Sequence, residues 1–258
     1  DKTGAPGRRN PNERSDAQVA VREVAPGGPP QSGDKPSRTY EIQGLRQNAG
    51  LHGNPDAVVR VPENFDPAKP INLVVYNHGQ GNTVSSSLRH ANIEEQMRKA
   101  PPNTVLVMPE WQTKPGSTVN SMGDLDNRGA FDAMINQALQ RTPGLSGKGL
   151  SDVKDVTMIG HSAGGYATNL MLGNNEIGKK VKDLVLIDTV GQSATTNWIG
   201  SHLKDFANGD KHLTNVSASY MGNSRKQAEN VQDMLKAAKL PESTMAKDFK
   251  NGKALDPA

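Results

Sequence analysis

From residue 40 onward, short apolar runs alternate with segments whose apolar positions recur at helical spacing. Runs at 40–45, 56–61, 71–76, 104–108, 155–159, 183–188 and 214–220 predict strands, and the middle ones are nearly continuous in apolar residues. Strands covered on both faces read this way. Between them, 124–141 carries Leu125, Phe131, Met134, Ile135, Ala138 and Leu139 on one stripe, which predicts an amphipathic helix. The spacing of Ala228, Val231, Leu235 and Ala238 predicts another over 225–239, ending before Leu240-Pro241. Helices are expected also at 87–99, 164–173 and 197–207. Strands alternating with helices indicate βα units around a mostly parallel sheet, hence an α/β domain.

The first 39 residues break this pattern. They hold six prolines and five glycines, many charges and no aromatic residue, a composition that buries too little surface to offset ordering entropy. We read 1–39 as a disordered tail or linker and 40–258 as the domain. The tail accounts for much of the low apolar content, 34% overall with 4% aromatic. The chain begins at Asp1, which suggests a processed or excised product. It has no cysteine in 258 residues, which excludes a disulfide framework, a thiolate metal site and a cysteine nucleophile. Cysteine absence also suits export to the periplasm or the outside of the cell, the compartment we expect. A net charge of +3 from 30 basic and 27 acidic residues is too small to argue for nucleic acid. No apolar run reaches the roughly 18 residues that span a bilayer.

Candidate chemistry sits at two turns. Residues 160–164 read Gly-His-Ser-Ala-Gly, directly after the run 155–159 and directly before a helical segment. Alone, G-x-S-x-G is a weak signal in a chain with 26 glycines. In a strand–turn–helix setting it is a nucleophile elbow, in which the glycines permit a sharp turn and the Ser162 hydroxyl is lifted clear of the sheet. The helix start behind it offers the Ala163 N–H and partial positive charge. The second turn, Asn77-His78-Gly79-Gln80-Gly81-Asn82, follows the run 71–76. A glycine-rich turn lets a backbone N–H approach a developing oxyanion, where each such donor lowers an acyl-transfer barrier by about 3 kcal/mol.

These two turns, in this order, resemble the α/β-hydrolase superfamily on its esterase, lipase and peptidase side. The resemblance covers about residues 56–221. It implies a mostly parallel α/β-hydrolase sheet of eight strands flanked by helices, Ser162 as nucleophile, and the N–H groups of Gln80 and Ala163 as oxyanion hole. It also implies that His78 orders the oxyanion loop without acting as base. The acid follows the nucleophile in chain order. Asp188, ending a strand, is the candidate, although a strand-end Asp equally caps a local turn; Glu110 is weaker.

The pattern fails at the base, which should be a histidine in a loop after the last strand. No histidine follows His212, and no apolar run follows the helix at 225–239, so the last strand of the sheet is missing as well. His161 should point away from the nucleophile, and His212 should lie at the amino end of the sheet. Three accounts stay open: a longer parent chain supplies strand and histidine, the site is degenerate and binds without turnover, or the base is unusual, with His202 the least poor candidate.

Trp111 and Trp198 follow strands and are candidates to rim a substrate site, or else to anchor their loops. The stretch 111–123, rich in small polar residues, reads as a rim loop. No metal-ligand cluster, phosphate loop or dinucleotide fingerprint is present in the sequence, so neither cofactor nor metal is expected. The reading is therefore a serine esterase acting on a small-molecule or polymer-linked ester, without a lipase-type apolar lid. The alternative is a non-catalytic binding module on the same fold.

Overall fold

The computed structural model describes residues 20–24, 37–45, 55–90, 93–111, 123–145, 147–189, 193–216 and 222–240. Eight strands form one sheet: β1 (Ala20–Val24), β2 (Ser37–Gln43), β3 (Ala57–Pro62), β4 (Ile71–Asn77), β5 (Thr104–Pro109), β6 (Val153–His161), β7 (Val181–Ile187) and β8 (His212–Val216). Their order is β1-β2-β3-β5-β4-β6-β7-β8. The pairs from β1 to β5 are antiparallel, and β5-β4-β6-β7-β8 are parallel. Helices α1 (Val84–His90) and α2 (Ile93–Arg98) follow β4, α3 (Ala130–Arg141) follows β5, α4 (Gly164–Asn174) follows β6, α5 (Ser193–Ser201) and α6 (Leu203–Ala207) follow β7, and α7 (Gly222–Ala237) follows β8.

Strand alternation divides the apolar residues between two faces. Leu73 and Val75 of β4 join the larger core with Phe131 of α3, Ala167 of α4, Ile199 of α5 and Val231 of α7. Tyr76 and the partly buried Val74 join a smaller core with Leu106 and Met108 of β5, Val84 of α1 and Ile93 of α2. A strand that serves both cores has no polar side to alternate with, which is why β4 and β5 read as unbroken apolar runs.

The structure alters the sequence reading in several places. Within the segment read as a tail, Ala20–Val24 forms an edge strand on β2, and β2 itself begins at Ser37. Val21 packs against the larger core, and Arg22 pairs with Glu41 across the two strands. An edge strand needs only one half-buried face, so five residues with one inward valine suffice. Among the described residues the sheet has eight strands, the eighth being residues 20–24 at the β2 edge rather than a strand beyond α7, where the resemblance puts the missing one. The sequence following Leu240, where a further strand was sought, lies outside the described residues.

The helix expected at 124–141 begins at Ala130, after a separate 3₁₀ turn at Gly123–Asp126, because Gly129 takes φ 77° and interrupts the helical path. That expected at 197–207 is two helices, broken at His202 with φ −113° and ψ 17°. The one expected at 87–99 is likewise two, α1 and α2. The strand expected at 214–220 is observed as β8, His212–Val216; residues 217–220 lie outside the described residues, as do 112–122 of the expected rim loop. Among the described residues no helix is long and apolar enough to cross a membrane.

Candidate active site

Both candidate turns lie at the carboxyl ends of parallel strands, where an open α/β sheet gathers its ligand-facing groups. β6 ends at His161, and the next residue, Ser162, takes φ 52°. A left-handed serine costs on the order of 1 kcal/mol or more, and the surroundings hold it there. The Ser162 N–H donates to Ile187 O at 2.8 Å, extending the β6–β7 ladder by one bond, and the Gly165 N–H then closes onto Ser162 O at 3.1 Å as α4 starts. The turn is tight on every side. A Cβ on Gly164 would stand 2.1 Å from Asn77 O and 2.6 Å from His78 O; one on Gly160 would stand 2.6 Å from Thr168 Oγ1. Glycine at these two positions lets α4 start directly against the end of β4. Asn77, fully buried, donates from Nδ2 to Thr168 Oγ1 at 3.0 Å and fixes that contact.

The loop after β4 runs beside the elbow. A Cβ on Gly79 would lie 3.2 Å from Ser162 Cβ and 3.2 Å from His161 Nδ1, so the loop backbone, Ser162 and the His161 ring converge on one point. From Gly79 the chain makes a turn closed by the Asn82 N–H on Gly79 O at 3.3 Å, with Gly81 at φ 77°. Glycine in the third position of such a turn supplies the left-handed conformation at little cost. Gln80 is exposed and Ala163 is buried.

Asp188 leaves β7 just as Ser162 leaves β6. It takes φ 49°, its N–H donates to Val216 O at 2.8 Å, and it stands next to Ser162, because His161 and Ile187 are register partners. Ser162 and Asp188 thus occupy equivalent positions on adjacent strand ends, both in a sparsely populated conformation. Such outliers cluster at functional sites.

The described histidines divide by their partners. His78 Nε2 lies 3.0 Å from Glu110 Oε1 and its Nδ1 lies 3.0 Å from Gly79 O. Glu110 Oε2 accepts the Val84 N–H at 2.9 Å. Glu110, considered above as a triad acid, is therefore committed to His78 and to the start of α1. His202 Nδ1 contacts Trp198 O at 2.8 Å. His212 pairs with Asp183 at 2.7 Å, and because Asp183 stands near the start of β7, that pair lies at the amino end of the sheet. His161 remains beside the elbow. Burial pushes its imidazole below the ordinary histidine range, opposed by the nearby Asp188 and reinforced by His78. The unfolded chain then takes up protons first, so His161 contributes stability that is present above the ordinary histidine range and lost as pH falls through it. His161→Gln should flatten that acid limb in a plot of denaturation midpoint against pH; an unaltered limb would assign it elsewhere.

The two tryptophans do not rim a site. Trp111 is 2% exposed and stacks on His78 with ring centroids 4.9 Å apart. Trp198 is 7% exposed, donates from Nε1 to Gly178 O at 3.1 Å, and packs between His202, Phe206 and Lys211. Both rings are buried against neighbouring elements. A cavity of about 540 Å³ instead lies under α1 and α2, lined by Val74, Tyr76, Ile93, Met97, Leu106, Ile159, Val185 and Ile187, and it reaches His161 and Asn82 at the two turns.

Sequence reasoning missed the His78–Glu110 pair. The two residues are 32 apart, and no local pattern joins them. The available hint was that each ends its strand in the same way, one residue beyond the β4 and β5 runs.

An eight-stranded, mostly parallel sheet flanked by helices, with a left-handed serine between a strand and a helix at its carboxyl edge, defines the class: the chain has an α/β-hydrolase fold. Neither a protein-family model nor a curated protein sequence matches it. Among solved structures, it is similar to EstE1, a thermophilic carboxylesterase cloned from a metagenomic library, at 18% identity and TM-score 0.46 over 81% of this chain and 77% of that one. It is similar also to the feruloyl esterase module from Clostridium thermocellum (13% identity, TM-score 0.45, 88% and 78% covered) and to esterase B from Lactobacillus rhamnosis (12%, 0.44, 91% and 76%).

Proposed function

We propose that this protein is a serine hydrolase that cleaves carboxylic esters through an acyl-enzyme on Ser162. The observation that carries this reading is the left-handed Ser162, held against the loop at Gly79 and beside Asp188 on the adjacent strand end. Ser162 Oγ would attack the ester carbonyl carbon, and the carbonyl electron pair would move onto oxygen. The N–H groups of Gln80 and Ala163 would receive that oxyanion. The Ser162 proton would pass to the base that Asp188 orients and from it to the departing alkoxide as the acyl group stays on Ser162; water, giving a proton to the same base, would then release the acid and restore the serine.

Asp188 has the place of a triad acid, serving to orient the base and stabilise its protonated form. Among the described residues no histidine ring bonds to Ser162: His78, His202 and His212 are held by other partners. That favours esters over amides, because an alkoxide leaves with less help from a general acid than an amine does. The cavity under α1 and α2 lies within the roughly 300–1,000 Å³ typical of small-molecule sites, and its apolar lining suits the hydrocarbon part of a small ester.

A fluorophosphonate probe tests the reading. Ser162 Oγ should displace fluoride and form a phosphonyl ester, located by tryptic mass spectrometry on the peptide that contains Ser162. Folded protein that stays unmodified while a control hydrolase labels would count against it.

A further inference from the structure

The cavity under α1 and α2 has a direction, because strand register sorts its sheet wall into levels. His161 and Ile187 are partners at the carboxyl edge; Tyr76, Ile159 and Val185 are partners two residues below; Val74 and Leu106 are partners two residues below that. At about 3.3 Å per residue, the descent from the first level to the last is about 13 Å. Ile93 and Met97, one turn apart on α2, form the opposite wall. Ser87 and Gln96 are the polar exceptions on the helix side, and Asn82 stands with His161 at the upper end. That end lies beside the nucleophile, since the His161 ring and Ser162 Cβ converge on the same point next to Gly79.

Strand order decides which half of an ester the cavity takes. β7 lies on one side of β6, and β4 and β5 lie on the other. Asp188 follows β7, so the base it orients belongs to that side, and a departing alkoxide must stand near the base that returns its proton. The alcohol therefore leaves toward Asp188. The cavity deepens the other way, toward Val74 of β4 and Leu106 of β5, which is where a chain on the acyl carbon held by Ser162 would point.

We propose that the cavity is an acyl-chain pocket for straight aliphatic acids, with Ile159 at its middle level setting how far the chain descends. Carbon–carbon bonds of about 1.5 Å advance an extended chain by about 1.3 Å each, so about ten carbons reach from the upper end to the floor. The proposal deepens the hydrolase reading and rests on it for the chemistry, whereas the fit of a chain rests on the lining alone. Each methylene moved out of water should raise kcat/KM by up to about fourfold until the floor is met.

Two ester series test the assignment: p-nitrophenyl esters from acetyl to dodecanoyl, and acetates of alcohols over the same lengths. In the wild type, kcat/KM should climb along the acyl series, level off near about ten carbons, and stay flat along the alcohol series. A flat acyl series, or a climb along the alcohols instead, overturns the proposal. Ile159→Phe should lower the decanoyl-to-acetyl ratio of kcat/KM by about tenfold or more. Met97→Phe fills the same space from α2 and should act alike if the first variant does not fold. A dansylated undecanoate probe separates the pocket from the chemistry. Wild-type protein should bind it, decanoate should displace it, and Ile159→Phe should weaken it about tenfold at an unchanged melting temperature. Equal binding by the variant, or exclusion of the probe from the wild type because the cavity is already filled, overturns the pocket whatever the catalytic result. Probe binding of the expected kind in a wild type that cleaves no ester would remove the hydrolase reading and uphold the chain pocket.

Discussion

Ser162→Ala is expected to lower ester hydrolysis by about 10⁴–10⁶-fold while leaving the fold intact. The size follows from what remains. Without Oγ there is no acyl-enzyme, and the loop at Gly79 with the Ala163 amide can only stabilise direct attack by water. Serine proteases stripped of triad members keep about 10³–10⁴-fold over water from such donors and from binding. The control lies in the backbone. Ser162 is left-handed at φ 52°, and alanine meets much the same steric cost there, so thermal melting should move by less than ~0.5 kcal/mol equivalent. Measured kcat/KM on a panel of short-chain aryl esters, compared at matched melting temperature, checks it. Turnover that survives in the alanine variant would mean that the chemistry lies elsewhere. Ligand retention that survives without any wild-type turnover would instead favour the binding-module alternative.

Gly164→Ala should be the most damaging conservative change to the fold. Helix propensity alone gives the opposite sign, since alanine is favoured over glycine by about 1 kcal/mol inside a helix. The contact decides the matter. The new Cβ would sit 2.1 Å from Asn77 O and 2.6 Å from His78 O, and both are backbone atoms at the end of a central strand with no rotamer to give. Relief requires α4 to lift from the sheet, breaking the Asn77–Thr168 bond and exposing part of the larger core. A loss of about 3–5 kcal/mol follows, in the range of overpacking combined with a broken buried hydrogen bond. In a chain of this size, that lowers the melting temperature by roughly 10 °C. A denaturation midpoint at or above the wild-type value would mean that α4 does not start hard against β4.

What the sequence carried follows from how many residues share each signal. The β4 to β7 strands were legible because β5 is buried on both faces and the half-buried second face of the others still carries apolar residues such as Val74, Ile159, Val185 and Ile187. The elbow was legible because close approach at Gly160 and Gly164 admits only glycine, and the glycines frame Ser162 at fixed spacing. Asp188 stood out because it ends an apolar run.

Where a single contact decides, the sequence fell silent. β1 was read as tail because an edge strand with one inward valine leaves no periodicity among prolines and glycines. Nothing near Gly129 in the sequence distinguishes a glycine tolerated inside a helix from one that interrupts it. Trp111 and Trp198 stay open between rim and anchor in the sequence because a strand-end tryptophan can face either solvent or core; the ring of His78 and the carbonyl of Gly178 draw them inward. The partnership of His78 with Glu110 depends on the pairing of β4 with β5, which no local pattern encodes.

The equivalent conformations of Ser162 and Asp188 bear on any attempt to strengthen this protein. Each is a left-handed position occupied by a residue other than glycine, and glycine would relieve about 1 kcal/mol at either one. A designer optimising the backbone for thermal tolerance alone would therefore write glycine at 162 and at 188, and would erase both candidate reactive groups in the same step. Two of the four left-handed non-glycine positions among the described residues thus stand side by side, at the ends of β6 and β7.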